Sequence, residues 1–214
     1  MLRNKRWKLI LSSALILLPS FVGILLWEQL PQQMPSHWGL DGTVDRWNDR
    51  AFVVFGMPAM LLVLHWICIW VTRKDQKNKN QNQKVVDLVL WIVPLVMLFV
   101  SGMTYMTVFG GDRVNTLTLV FAFTGILFVI VGNYLPKCRQ NHTIGIKIKW
   151  TLENEENWNA THRMAGKLWV VGGLLFLACA FVPTKVLPAA MSVILLLLVA
   201  APLLFSWQYA KKHG

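Results

Sequence analysis

Long apolar runs separated by short polar stretches dominate this chain. Each run approaches or exceeds the roughly 20 residues that a helix, rising about 1.5 Å per residue, needs to cross about 30 Å of hydrocarbon. A helix satisfies its own backbone hydrogen bonds, as lipid requires, and the runs are too long and continuous for barrel strands. The pattern therefore predicts six transmembrane helices, at 9–27, 51–71, 85–109, 116–135, 168–183 and 187–209.

Composition agrees with an all-α integral membrane protein. Of the 214 residues, 55% are hydrophobic and only 14% are charged, which is more apolar surface than one soluble core can bury. The first run follows a basic N-terminus, as in a secretory signal. It has no small-residue cleavage site and is long enough to span a bilayer, so we interpret it as a retained first helix. The three scattered cysteines predict neither a disulfide framework nor a metal site.

The net charge of +11 follows from topology and does not require a nucleic-acid ligand. Most of the 21 Lys and Arg residues lie at the N-terminus, in residues 73–84, in residues 136–167 and in the C-terminal tail. Basic loops remain in the cytoplasm. We therefore predict a multi-pass protein of the bacterial plasma membrane with both termini cytoplasmic, in contact with the lipid bilayer and with no direct nucleic-acid binding.

Residues 28–50, here called the outer loop, are predicted to lie outside the cell. Two prolines stiffen the loop and two glycines permit turns with positive φ, so a compact structured loop is expected. A divalent-metal site formed by His37, Asp41 and Asp45 is the alternative to a turn-forming, hydrogen-bonded loop.

Residues 73–84, here called the connector loop, are rich in Lys, Asn and Gln and contain no apolar anchor, which predicts a solvated connector. Two ionisable residues fall inside the spans. Asp87 is expected to form an interfacial ion pair with Lys84, and His65 is expected either to hydrogen-bond to another helix or to relay protons. A small membrane transporter or channel is therefore the alternative function.

Residues 132–166, here called the signature segment, form the longest polar stretch. The apolar residues from Ile144 to Trp150 alternate with Gly145, Lys147 and Lys149, and period two predicts an extended strip with one apolar face and one cationic face. Such a strip can lie against anionic lipid or pair with a partner.

A short amphipathic helix is predicted between the strip and the fifth span. Thr151 is its expected N-cap, and the glutamates that follow suit the positive end of the helix dipole. Trp158 and His162 share one face, with Trp158 in the membrane interface. Catalysis by His142 or His162 would need a nucleophile or metal ligands, and no motif supplies them. We therefore predict no enzyme activity, no cofactor and no metal.

The same segment resembles the SdpI family of bacterial immunity proteins through GNYLPK, RQN, IGIKIKWTL and, after Trp158, THRMAG. The outer loop resembles a domain of uncharacterised function often found in front of that signature. The resemblance implies an N-terminal region at 1–115 and an SdpI-like region at 116–214, each with three spans. This chain has Lys147 to Lys149 where the family commonly has Arg, a small polar residue and Pro.

The resemblance also implies a function, namely resistance to a secreted antimicrobial peptide or toxin, with signalling to a cytoplasmic transcriptional repressor. The partner-binding positions implied in the signature segment are Asn133, Pro136, Asn141, Gly145, Trp150, Thr151, Trp158, His162, Arg163 and Gly166. The positions implied in the outer loop are Pro31, Pro35, His37, Trp38, Gly42, Asp45 and Trp47.

Overall fold

The structure, a computed structural model, describes residues 6–110, 115–181 and 187–213. Within these residues the chain is mostly helical, which confirms the predicted class of helical membrane protein. The helices are α1 (Arg6–Leu25), α2 (Met57–Lys74), α3 (Gln83–Gly110), α4 (Thr116–Tyr134), α5 (Lys149–Glu153), α6 (Glu155–Cys179) and α7 (Leu187–His213). One β-hairpin, β1 (Gln33–Trp38) and β2 (Val44–Asp49), is an addition to the predicted all-helical fold.

Five helical segments in the described parts of the chain are long and apolar enough to cross a membrane. They are residues 6–25, 52–74, 83–110, 116–137 and 189–213, and they correspond to the first four predicted spans and the last. The fifth predicted span, 168–183, falls in α6, which is not among the five. Positions 182 and 183 of that span lie outside the described residues.

The chain divides into two compact units. Unit 1 comprises Met1–Trp70 and Asp87–Thr116, and unit 2 comprises Val71–Val86 and Leu117–Gly214. The connector loop therefore groups with the carboxyl-terminal helices and not with the body of α2 and α3, the two helices that flank it in sequence. Its docking is described with the site below.

The hairpin in unit 1 makes the outer loop a structured element, as predicted. Its strands are antiparallel, with Gln33 opposite Asp49 and an irregular register after Pro35, where a residue without an N–H is tolerated. At the turn, Gly42 has φ +81° and the Asp41 carboxylate accepts hydrogen bonds from Thr43. These bonds lower the pKa of Asp41.

The base of the hairpin is held by packing and by Arg50. Leu30 and Met34 are buried with Val53 and Val54, just before α2. The Arg50 guanidinium donates to the carbonyl oxygens of Trp27 and Leu30 and lies 4.1 Å from the Trp27 ring centroid. The hairpin is thereby fixed to the helices of unit 1.

The polar side chains within unit 1 pair between helices. Lys8 Nζ lies 2.6 Å from Asp87 Oδ2, so the predicted pairing of Asp87 with Lys84 is wrong; Lys84 is exposed. The predicted hydrogen bond from His65 to another helix is confirmed, because His65 Nε2 lies 2.9 Å from Ser12 Oγ on α1. His65 Nδ1 is buried without a partner among the described residues.

Two glycine pairs bring α4 and α6 into backbone contact in unit 2. A Cβ added at Gly166 would lie 2.7 Å from Gly132 O, and one added at Gly173 would lie 2.6 Å from Gly125 O. The two pairs are seven residues apart on each helix, about two turns, so they recur on one face. Small residues at such crossings are the usual means by which membrane helices approach closely.

Candidate functional site

The turn at residues 138–144 of the signature segment is organised by Asn141, which is fully buried. Its Nδ2 donates to the carbonyl oxygens of Arg139 (2.8 Å) and Ile144 (2.9 Å). Its Oδ1 accepts from the backbone nitrogens of Thr143 (2.8 Å) and Ile144 (2.6 Å). An amide side chain suits this position because it offers two donors and an acceptor with two lone pairs. Asn141 therefore closes the turn from its inside.

Trp158 fastens this turn to α6. The ring is fully buried in a cluster with Val85 and Cys138, and its Nε1 donates to Cys138 O at 2.8 Å. Burial raises the pKa of the Cys138 thiol to about 11, so the thiol keeps its proton. The prediction that Trp158 lies in the membrane interface is wrong, because protein covers the ring on all sides.

His162 is buried and held in one protonation state. Its Nε2 accepts from the backbone nitrogen of Ile146 (3.0 Å), so its Nδ1 carries the proton and donates to Trp158 O (2.8 Å). The ring stacks on Trp158 with centroids 4.0 Å apart. Burial lowers the pKa of His162 to about 4. A neutral imidazole with both nitrogens bonded to backbone is a structural element of this site.

The state of His162 predicts how stability depends on pH. Its pKa is about 4 in the folded chain against an ordinary value of 6.5, so between these values the unfolded chain binds more protons. The contribution of neutral His162 to the free energy of unfolding is therefore complete above pH 6.5. It is lost as the pH falls toward 4, by up to about 3 kcal/mol. Thermal unfolding in detergent between pH 7 and 4.5 measures the slope.

The control for this prediction is His142, which is exposed. His162→Gln should flatten the dependence on pH between 6.5 and 4.5, whereas His142→Gln should retain it. Equal slopes in the wild type and in His162→Gln would show that other groups set the pH dependence.

The strip from Ile144 to Trp150 has the predicted alternation of burial, but the predicted extended conformation is wrong for Lys149 and Trp150, which are the first two residues of α5. The isoleucines are half-buried, whereas Gly145, Lys147 and Lys149 are exposed. Thr151 is not the N-cap: α5 begins at Lys149, and Thr151 lies in its first turn, with its hydroxyl accepting from Ile148 N and 2.8 Å from Ile146 O. The cap of α6 is Asn154, whose side chain accepts from Asn157 N.

Gly145 adopts a conformation that the strip requires. Its φ is +112°, where residues with a side chain are strained. An added Cβ would lie 2.5 Å from His162 Nε2 and 3.1 Å from Trp158 Cη2. Only glycine at this position therefore lets the backbone of the strip lie this close to the stacked rings of Trp158 and His162.

The connector loop packs against the turn at 138–144, so the prediction of a solvated connector is wrong. The buried Gln81 side chain bonds to both backbone groups of Arg139, with Nε2 2.9 Å from its O and Oε1 2.9 Å from its N. Asn78 is buried and donates to Thr143 Oγ1 at 2.6 Å. Asp75 Oδ2 accepts from His142 N at 2.8 Å. The loop needs no apolar anchor because amide and carboxylate groups hold it.

Replacing Gln81 by alanine is expected to release this loop. The change leaves Arg139 N without its protein partner and removes one of the two amide donors to Arg139 O, which Asn141 Nδ2 still contacts. An unpaired backbone group of this kind typically costs about 2 kcal/mol when it is buried. Hydrogen exchange at residues 75–82 and 138–143 should then be roughly 30-fold faster, since 1.4 kcal/mol corresponds to about tenfold. Gln76→Ala is the matched control because Gln76 is exposed, and equal exchange in both variants would contradict the docking.

The outer-loop positions do not form a metal centre. His37 Nδ1 lies 2.6 Å from Asp45 Oδ1, but Asp41 bonds to Thr43. Within residues 6–110, 115–181 and 187–213 no three His, Cys, Asp or Glu side chains are placed to hold a metal ion.

Pro35 faces Trp47 across the hairpin. The hairpin presents two exposed apolar side chains, Leu40 (58% exposed) and Trp47 (52%).

The predicted signature positions fall into two groups. Five are buried and hold the segment together: Asn141, Thr151, Trp158, His162 and Gly166. Asn133, Pro136, Gly145 and Arg163 are exposed, and Trp150 is half-buried. Their assignment to a partner stays a prediction.

Three polar residues that hold this site together were not predicted from the sequence. Asn78 and Gln81 belong to the connector loop, and Asn157 on α6 bonds to the backbone and hydroxyl of Ser206 on α7. The available signal was weak. Asn, Gln and Asp also predominate in solvated loops, and only their spatial neighbours distinguish the two cases.

The apolar helices define a multi-pass protein of the cell membrane, with a hydrogen-bonded polar module built from the signature segment and the connector loop. Residues 137–206 match the SdpI/YfhL protein family, and residues 14–62 match a domain of unknown function, DUF1648. The chain is 27% identical over 205 residues to the immunity protein SdpI of Bacillus subtilis (strain 168), covering 96% of this chain and 97% of that protein. The predicted resemblance to the SdpI family is confirmed. No solved structure gave a significant match.

Proposed function

We propose that this chain is a membrane immunity or toxin-sensing protein that protects its cell from a secreted antimicrobial peptide or toxin. The observation that carries the proposal is the alignment with an immunity protein over 96% of the chain. That alignment takes in both the hairpin and the signature segment. The role is binding and sensing and involves no catalysis, in keeping with the structural use of His162.

The proposed topology has six spans, with α6 as the fifth. In support, the part of α6 from Leu168 to Cys179 has no charged residue, and the basic residues gather on one side of such an arrangement. Both termini and the signature segment then lie in the cytoplasm, and the hairpin lies outside. Alkaline phosphatase fused to the C-terminus should be inactive; an active fusion would contradict this orientation.

In this arrangement the hairpin meets the toxin and the signature segment meets a cytoplasmic repressor. The exposed Leu40 and Trp47 offer apolar contacts to a membrane-active peptide. The exposed Lys147 and Lys149 offer a cationic edge to an acidic partner surface. Signalling between the two requires two states of the chain that toxin and repressor bind with different affinity.

The test is a deletion of the gene followed by challenge with candidate membrane-active peptides. We expect the deletion strain to die at concentrations that the parent survives, and expression of the chain in trans to restore survival. Unchanged survival of the deletion strain across the whole toxin panel would refute the immunity function.

The His65–Ser12 contact favours transport as a second candidate function. An ionisable side chain buried in the spans and bonded to a neighbouring helix is typical of transport pathways. Purified chain in vesicles should then carry protons or ions, and His65→Ala should abolish the flux. Vesicles without flux would remove this alternative.

A further inference from the structure

An open groove of about 800 Å³ lies along α6 in unit 2, and its walls have two kinds of chemistry. Pro136, Met164, Leu168 and Val171 supply apolar surface, whereas Arg163 and Lys167 supply positive charge. None of the hydrogen bonds described above for the signature segment and the connector loop involves these six side chains.

The two cations lie on the same side of α6 and are available to a ligand. Arg163 and Lys167 are four residues apart, so their side chains are neighbours on the helix surface. Both are exposed, and neither side chain has a hydrogen-bond or ion-pair partner among the described residues. The nearest acids on their own helix, Glu155 and Glu156, lie about two turns before Arg163.

The apolar wall continues from the cations in one direction. Met164, Leu168 and Val171 follow one another along α6 at helical spacing, and Val171 is 55% exposed. Beyond Lys167 the helix has no charged residue up to Cys179. The groove therefore has a cationic end and an apolar end.

We propose that this groove binds one anionic phospholipid, with its phosphate on Arg163 and Lys167 and an acyl chain along Leu168 and Val171. An Arg guanidinium donates two parallel hydrogen bonds to a phosphate, and a nearby Lys adds a second charge. An amphiphile matches both ends of the groove, whereas a free phosphate ion would leave the apolar wall uncovered. This proposal does not depend on the immunity function.

Native mass spectrometry of the full chain in detergent, titrated with phosphatidylglycerol or phosphatidylcholine, tests the proposal. We expect one tightly bound phosphatidylglycerol and at least tenfold weaker binding of phosphatidylcholine. Each lost charge should weaken binding about fivefold, so R163Q/K167Q should weaken it about 25-fold. Val171→Trp, at an exposed position, should also weaken binding by filling the apolar end while leaving both charges.

The matched control is K147Q/K149Q, which removes two exposed charges from the strip and not from the groove. Its affinity for phosphatidylglycerol should stay within twofold of the wild type. Equal binding of both lipids, or equal losses in the two double variants, would overturn the proposal. A competing soluble acidic peptide that binds through Arg163 and Lys167 while phosphatidylglycerol does not would assign the groove to a protein partner.

Discussion

Replacing Trp158 by alanine is expected to destabilise unit 2 by about 3–5 kcal/mol, the usual effect of removing a fully buried aromatic side chain. The change opens a cavity between Val85 and Cys138, removes the hydrogen bond to Cys138 O and leaves the His162 ring without its stacking partner. The turn at 138–144 would then lose its attachment to α6. Thermal unfolding in detergent at neutral pH measures the loss.

Two variants distinguish the effect of losing the buried ring from the effect of losing its hydrogen bond and from the general effect of replacing a tryptophan. Trp158→Phe keeps a buried aromatic ring but cannot donate to Cys138 O, so an intermediate loss of about 1–3 kcal/mol is expected. Trp207→Ala makes the same substitution at a position on α7 that is 44% exposed and should cost much less. Equal stability of Trp158→Ala and Trp207→Ala would contradict the burial of the Trp158 ring in the cluster with Val85 and Cys138.

Replacing Gly166 by alanine is expected to force α4 and α6 apart. The new methyl group would lie 2.7 Å from Gly132 O and 2.7 Å from Pro136 Cδ, and neither a backbone carbonyl nor a proline ring can rotate away. Overpacking of this kind typically costs about 1–3 kcal/mol. We expect a lower unfolding temperature and less protein in the membrane fraction.

Gly102 provides the control for this substitution. It lies within α3, and an added Cβ there would have no atom within 4 Å. Gly102→Ala should be neutral or slightly stabilising, because alanine favours the helix over glycine. Similar losses for Gly102→Ala and Gly166→Ala would mean that general helix effects, and not the close approach to Gly132, account for the result.

Features with a regular period were predictable from the sequence. The apolar runs are helical in the structure. The fifth predicted span, however, is not among the helices in the described residues that are long and apolar enough to cross a membrane. The alternation of apolar residues with glycine and lysine from Ile144 to Trp150 corresponds to alternating half-buried and exposed side chains. Both depend on local geometry, since a side chain's direction follows from its place in a helix or an extended strand.

Features set by contacts distant in sequence were not predictable. Gln81 is 58 positions from Arg139, the residue whose backbone it bonds, and no local pattern indicates such a pairing. The preference of tryptophan for membrane interfaces predicts an interfacial position for Trp158, but its ring is buried against Val85 and Cys138. Proximity in sequence predicts Lys84 as the partner of Asp87, whereas the structure pairs Asp87 with Lys8 on α1.

These contacts change the role expected of the signature positions. Asn141, Trp158 and His162 direct their polar atoms at backbone groups within unit 2, so substitutions there act first on the folding of the segment. Any cytoplasmic partner would meet the exposed edge that these residues hold in place, including Lys147 and Lys149.

The most direct test of this account is the survival of the deletion strain under toxin challenge when it carries the wild-type chain, Trp207→Ala or Trp158→Ala. The amount of each protein in the membrane is measured alongside. We expect the wild type and Trp207→Ala to restore survival and Trp158→Ala to fail even when its membrane amount is matched by stronger expression. Full protection by Trp158→Ala at a matched amount, or no protection by the wild type, would contradict the claim that immunity depends on the packed signature segment.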